Sequence, residues 1–331
     1  SQPLLNRTLR AVYPPGSMFK VIDTAAALSA DPTLTPTTRL PSPNSYHPLD
    51  PTDKTACPKV GGAACVENFD GEVCDNGTTA TLALALAKSC NTTFAKLAVD
   101  KLGDGQLSAE AQKFGLDAPY PGDSPGDLCD PPLFRIPLIA CHSTPGSEAD
   151  LAGRDTLAQT AIGQRDVAIT PLQAAMISSA VANDGTLMRP YLVAKELRPD
   201  LSVLSQPTPQ QYDQVLPPDR DATLIDLMLG VVENPRGTGG SARITELGPD
   251  IRVGGKTGTA DHGVKDPKTG KFPPPHAWFT GFALDKGEAK IAVSVIIEDG
   301  GVNGNETTGG LAAAPVAKDV MLAYLRTLNG N

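Results

Sequence analysis

The chain has 331 residues, about 40% of them apolar, and a formal net charge of -9. That length supports one large domain or two modest ones with a well-buried core, and the acidic balance repels phosphates, which argues against nucleic acid as a partner. No apolar run reaches the roughly 18 residues of a membrane span, and the first ten residues lack the apolar core of a signal peptide, so an exported protein would have lost its targeting segment.

In chain order, residues 17–30 read as a helix. Phe19, Val21, Ile22 and the run from Ala25 to Leu28 form an apolar stripe, entered through the sharp turn Pro14-Pro15-Gly16. Helices are expected again at 79–88, at 92–102 with Gly103 as C-cap, at 171–183 and at 216–232. A strand starts at Ile251, and two more are read at 277–283 and 289–297. The last of these is nearly apolar throughout, which predicts burial on both faces. A helix over 311–328 closes the chain. Helices, then an antiparallel meander, then a helix make an α+β arrangement. The 31 prolines cluster at 31–58, 119–145 and 267–275, read as long loops between patterned segments.

Three short fragments carry chemistry. Ser17-Met18-Phe19-Lys20 places a hydroxyl and an amine one helical turn apart. A serine is a poor nucleophile without a base beside it. S-x-x-K alone is expected about once by chance in a chain this long. Ser89-Cys90-Asn91 sets a hydroxyl and an amide on a turn between two predicted helices. Ser42-Pro43-Asn44 has the same pattern but lies in a proline-rich loop. Lys256-Thr257-Gly258-Thr259 sets a cation and hydroxyls at a strand edge, suited to a carboxylate, and Gly258 admits close approach to the backbone. Lys268-Thr269-Gly270 repeats that pattern in what reads as an exposed turn.

Together the fragments say more than singly. They occur in the order S-x-x-K, S-x-N, K-T-G, with 72 residues from Ser17 to Ser89 and 167 from Ser89 to Lys256. That triple is the known signature of penicillin-binding proteins and class A β-lactamases. The approach Asn6 to Gly16, Ile162-Gly163-Gln164, Thr170 to Gln173, Ala182 to Gly185, Gly237-Thr238-Gly239, Gly255 to Ala260 and Trp278 to Gly281 extend the likeness. The chain resembles the transpeptidase domain of class B penicillin-binding proteins, closest to an actinobacterial branch.

The resemblance implies a penicillin-binding protein/serine β-lactamase-like fold: an antiparallel sheet flanked by helices, plus an all-helical subdomain. The whole of 1–331 would be one transpeptidase domain, with the helical subdomain at roughly 31–185 and the α/β subdomain at roughly 1–30 and 186–331. It implies a D,D-transpeptidase that cross-links peptidoglycan stem peptides ending in D-Ala-D-Ala through a serine acyl-enzyme and is acylated by β-lactams. Ser17 would be the nucleophile, Lys20 the base and Ser89 the proton relay. Asn91, Lys256, Thr257, Gly258 and Thr259 would bind substrate, and the Ser17 and Thr259 amides would form the oxyanion hole. No metal or organic cofactor is needed. A membrane glycan polymerase is an implied partner, at an extracytoplasmic site where the full-length protein is membrane-anchored. This chain by itself would be soluble. In the family an anchor, a pedestal and roughly two sheet strands precede the nucleophile helix. Only 16 residues do so here, so the chain is expected to lack them and to expose a sheet edge.

Other readings stay open. A D,D-carboxypeptidase shares the motifs, and a catalytically weak partner-binding module could retain them. No stretch resembling the class A deacylation loop, Glu-x-x-x-Asn, is read, which disfavours a β-lactamase, and no G-x-S-x-G elbow suggests a Ser-His-Asp hydrolase.

The six cysteines suit disulfides in an oxidising compartment better than zinc, because no C-x-x-C pair occurs and the four histidines are scattered. Six cysteines allow fifteen connectivities. The expected one joins Cys74 to Cys90, tying the loop before the S-x-N turn to that turn. Cys57–Cys65 and Cys129–Cys141 would then close local loops.

Overall fold

The structure is a computed structural model, and it describes residues 6–48, 65–116, 153–165, 167–262 and 273–328. After a helical turn at Arg7–Arg10 and a tight 3-10 turn at Gly16–Phe19, the helices are α1 (Lys20–Ala30), α2 (Leu82–Ala87), α3 (Asn91–Leu97), α4 (Gly103–Lys113), α5 (Arg154–Ala161), α6 (Pro171–Val181), α7 (Pro218–Glu233) and α8 (Ala314–Leu328). The main sheet has three antiparallel strands among the described residues: β1 (Ile251–Ala260), β2 (His276–Asp285) and β3 (Glu288–Ile297), with β2 in the middle.

β2 explains the layering. It pairs along its whole length with β1, from His276↔Ala260 to Asp285↔Ile251. Side chains alternate across a strand, so Trp278 and Phe282 enter the larger core with α1, α2, α6 and α7. Phe279 and Ala283 enter a second core, roofed by Ala317, Met321 and Leu325 of α8. The buried Thr280 hydroxyl lies 2.6 Å from the Ala174 carbonyl oxygen and 2.7 Å from the Ser178 hydroxyl, pinning α6 to the sheet. Trp278 Nε1 donates to the Pro14 carbonyl at 3.0 Å, holding the approach to Ser17 against β2.

Three sequence expectations change. The fully buried strand is β2, not β3. β3 is apolar on both faces, Ala292 and Ile296 packing on one core and Ile291, Val293 and Val295 on the other. Only Val293 is buried, because β3 has a neighbour on one side and its outer edge is unpaired among the described residues. The helix expected at 79–88 starts later. Thr79–Thr81 pairs as a strand with Arg39–Pro41, and Thr81 then caps α2 by accepting from the Leu84 amide at 3.2 Å. Gly103 caps the helical run that α3 and a wide turn at Ala98–Leu102 form, as expected, with a positive φ of 74°, and α4 follows directly to Lys113. The last helix begins at Ala314, after a wide turn at Gly309–Ala313. Among the described residues no helix is long and apolar enough to cross a membrane.

Candidate active site

Ser17 lies in the 3-10 turn that feeds α1, so Lys20 is the first residue of the α-helix proper. The turn is pressed against β1 and the end of α5. A Cβ on Gly16 would sit 2.6 Å from the Thr259 carbonyl oxygen, and one on Gly163 would sit 1.9 Å from the Gly16 carbonyl oxygen. Both glycines have positive φ. Only residues without a Cβ allow three backbone segments to meet here. The Gly16 amide donates to the Gly163 carbonyl at 2.9 Å, which gives the Ile162-Gly163-Gln164 fragment its place.

The three motifs converge on two buried lysines. Lys20 Nζ is 3.0 Å from Ser17 Oγ, 2.7 Å from the Ser89 carbonyl oxygen, 3.1 Å from Ser89 Oγ and 2.6 Å from Asn91 Oδ1. Lys256 Nζ is 2.8 Å from Ser89 Oγ and 2.9 Å from the Thr257 carbonyl oxygen. Both lysines are fully buried. Burial pushes the Lys20 amine well below the usual lysine range, and the Lys256 cation beside it pushes the same way. Burial alone lowers Lys256 to about 7. A neutral Lys20 has two N–H donors. The carbonyl oxygens of Ser89 and Asn91 can only accept and are its two shortest contacts, so they take both donors. The lone pair is left for the Ser17 hydroxyl.

The S-x-N turn is built to hold those acceptors. Ser89 sits at a positive φ of 61°, rare for a residue with a Cβ. Its neighbour Cys90 is bonded to Cys74 with Cα atoms 5.7 Å apart, as expected. Asn91 Nδ2 donates to the Glu67 carbonyl at 2.9 Å, which orients its amide oxygen toward Lys20. Cys65 is also disulfide-bonded. Cys57, Cys129 and Cys141 lie outside the described residues, as does the second K-T-G at 268–270. Ser42 of the second S-x-N is buried elsewhere, accepting from the Thr93 hydroxyl at 2.8 Å.

Ser17, Ser89, Asn91, Thr257 and Thr259 line one cleft of about 610 Å³. Gly258 supplies closeness rather than a side chain: a Cβ there would lie 2.6 Å from the Pro15 carbonyl oxygen. Sequence reasoning passes over several other lining residues. Thr238 shares a 2.6 Å hydrogen bond with the Thr257 hydroxyl, and the Gly309 amide reaches the Thr259 hydroxyl at 3.4 Å. Gln164, Phe69 and Leu311 complete the walls. Gly237-Thr238-Gly239 and Gln164 stood within recognised fragments, so a signal existed for those two. Also passed over is a literal Glu-x-x-x-Asn spacing from Glu72 to Asn76. Glu72 is at the cleft rim, largely exposed, with its carboxylate 3.4 Å from Lys88 Nζ.

A serine beside a neutralised lysine, with a second lysine and two threonines on a strand edge, defines a serine acyl-transfer centre on an α+β scaffold. The chain belongs to the family of penicillin binding protein transpeptidase domains, whose sequence profile matches residues 1–322. It is 41% identical over 324 residues to the peptidoglycan D,D-transpeptidase PbpA of Mycolicibacterium smegmatis, covering 98% of this chain and 57% of that protein. It is 37% identical to PbpA of Mycobacterium tuberculosis, covering 98% and 58%. Among solved structures it resembles penicillin-binding protein A from M. tuberculosis as its ceftriaxone acyl-enzyme complex, with a TM-score of 0.77, 37% identity, and 98% and 63% of the two chains covered. The chain thus spans somewhat under two thirds of the length of these relatives.

Proposed function

We propose that the chain is a D,D-transpeptidase domain that joins peptidoglycan stem peptides through an acyl-enzyme on Ser17. The observation that carries this is the meeting of Ser17, Ser89 and Asn91 around one buried, deprotonatable amine, Lys20 Nζ. Lys20 takes the Ser17 proton as Oγ attacks the carbonyl of the penultimate D-Ala. Negative charge on that carbonyl oxygen is met by the amides of Ser17 and Thr259, whose backbones are adjacent where Gly16 touches Thr259. The C–N bond then breaks, and the Ser89 hydroxyl, between the two lysine amines, hands a proton to the departing D-Ala nitrogen while Lys20 passes the proton it took from Ser17 on to Ser89 and becomes neutral again. An acceptor amine attacks the ester, returns its proton along the same path and frees Ser17. A β-lactam follows the first half, but its leaving nitrogen stays tethered.

Asn91 Nδ2 spends one N–H on Glu67, and the second is free for a substrate carbonyl. Lys256 is fully buried, so the Thr257 and Thr259 hydroxyls touch the substrate carboxylate and Lys256 acts on it through space. The donor strand would come from a membrane glycan polymerase on the outer face of the cell, where stem peptides are found and where disulfides persist.

Mass spectrometry after incubation with penicillin tests the nucleophile: one adduct is expected, on Ser17, and Ser17→Ala removes it. An adduct persisting in Ser17→Ala would refute the assignment. Release of D-Ala from a D-Ala-D-Ala peptide, measured with and without an added amine, separates acyl transfer from hydrolysis.

A further inference from the structure

We propose that His262, His276 and Asp299 form a binding site for one first-row divalent cation of the zinc type. The three come from distant parts of the sequence and meet because the sheet is antiparallel. β1 ends at Ala260, β2 begins at His276 opposite it, and β3 ends at Ile297, opposite Ala277. One end of the sheet therefore gathers the residue two past β1, the first of β2 and the second past β3. Each offers one ligand atom, and the three atoms lie within 4.8 Å of one another.

The spacings suit a cation. His262 Nε2 is 3.0 Å from Asp299 Oδ1, and His276 Nδ1 is 3.8 Å from the same oxygen. Ligands about 2.0–2.1 Å from a tetrahedral zinc lie roughly 3.3 Å apart, midway between those values. The imidazole rings stack with centroids 4.3 Å apart and planes 13° from parallel; a ligating lone pair lies in its ring plane, so the partly exposed His262 ring turns about its side-chain bonds for both nitrogens to meet one ion. His276 is buried and His262 partly so, and the exposed Asp299 leaves an entry path. Two imidazoles and a carboxylate are the donor set of zinc and its first-row neighbours rather than of calcium or magnesium. The Pro274 carbonyl oxygen, 3.1 Å from His262 Nε2, is placed as a fourth ligand or an acceptor for a bound water.

Binding is an exchange of partners. His276 Nδ1 gives up the hydrogen bond it accepts from the Asp299 amide at 3.1 Å. His262 moves its proton to Nδ1 and offers Nε2. Asp299 stands at φ 51° and is followed by Gly300 and Gly301, a turn with room to adjust. The consequence reaches the cleft. His262 lies three residues past Thr259, just beyond the end of the strand that carries Lys256 to Thr259. The Tyr13 ring, four residues before Ser17, packs edge-on against His276 at 5.4 Å and hydrogen-bonds Glu298. A cation here would staple the end of β1 to the turn after β3 and to the approach to Ser17.

The test uses the chain without a histidine tag, titrated with Zn²⁺ and with Co²⁺. One equivalent of Co²⁺ should develop visible d–d absorption, and Zn²⁺ should raise Tm. Asp299→Asn keeps the shape and tolerates the same left-handed backbone. His262→Gln removes the more accessible imidazole. Each should weaken binding by at least about tenfold, while both still form the penicillin adduct on Ser17, which serves as the fold control. Failure of the unmodified chain to bind either ion would overturn the proposal. So would binding that neither substitution weakens, which would mark an adventitious surface ion.

Discussion

Among the described residues, two pairs of buried charged side chains are treated in opposite ways. In the cleft, Lys20 and Lys256 share six contacts with hydroxyl and carbonyl oxygens. Away from it, Asp23 on α1 and Asp221 on α7 are equally buried but poorly matched: neither Asp23 carboxyl oxygen has a hydrogen-bond partner, and the Gly185 backbone amide is the contact that favours the Asp221 carboxylate. Burial raises both carboxyls, Asp23 well above the usual range and Asp221 to about 8, where Asp184 adds repulsion. Desolvation thus works against the ordinary charge of all four groups. Only the two in the cleft are also positioned, and a buried polar group that is fully matched is held in one place.

The strongest way to break this contrast is to remove the matched amine. Lys20→Met keeps most of the side-chain volume and deletes the base. Acylation of Ser17 by penicillin should slow by about 10²–10⁴-fold, with the folded state retained. If Lys20→Met reacts at a near-native rate, the hydrogen bonds around Nζ are structural and another group activates Ser17.

The unmatched carboxyls should respond in stability instead. Between pH 3.8 and about 8 the unfolded Asp221 is ionised and the folded one protonated. The folded state then binds more protons, so Asp221 makes stability fall as pH rises through that window. Asparagine mimics the protonated acid without that penalty. Asp221→Asn should therefore stabilise the protein at pH 7 by up to about 4 kcal/mol and leave acylation unchanged. Chemical denaturation at pH 5 and pH 8 would show it, with the gain larger at pH 8. An equal effect at both would mean the carboxyl is not held protonated.

Much of the cleft was legible in the sequence, and the reason is local. Ser17, in the 3-10 turn, and Lys20, at the start of α1, are one turn apart, Ser89 and Asn91 flank a single residue, and Lys256 to Thr259 are consecutive. Each fragment carries its own geometry, and the family resemblance supplied their order. What escaped depends on how elements meet. Thr238 reaches Thr257 only because the segment after α7 packs beside β1, and Asp23 loses solvent only under the helices covering α1. His262 and His276 looked scattered, since their contact is created by strand register. The edge position of β3 was illegible for a related reason: an apolar run on a strand reports what covers its faces, not whether its rim has a neighbour. The Thr79–Thr81 strand was hidden by the Ala- and Leu-rich stretch that follows it, although Thr81 is a readable cap.

The Cys74–Cys90 bond bears on the matched side of the contrast, because it holds the turn that presents the Ser89 and Asn91 oxygens to Lys20. It closes a separation of 16 residues, worth about 3 kcal/mol in the chain-entropy view. Replacing both cysteines by alanine should lower stability by about that amount and also slow acylation by a few-fold, since the acceptors on Lys20 would wander. Loss of stability with unchanged acylation would show that hydrogen bonds alone keep the turn in place.

The finest discrimination is between the two lysines themselves. Burial lowers both lysines, and at Lys20 the neighbouring Lys256 charge adds to the lowering, while Lys256 itself is brought down to about 7. Where Lys20 is neutral and Lys256 still charged, the cleft holds a base beside a cation, the pair of states that acyl transfer requires. As pH rises through about 7 the free protein loses the Lys256 charge that favours a substrate carboxylate. The second-order rate constant for penicillin acylation should then decline on the alkaline side, by at most about tenfold per pH unit. A bound carboxylate stabilises the cation, so the same limb, read from the rate at saturating penicillin, should move to higher pH. The methyl ester of the same penicillin has no carboxylate and should react more slowly but without the alkaline decline. If acid and ester decline together, the limb belongs to a group acting on the reacting carbonyl, and Lys256 does not carry the recognition charge.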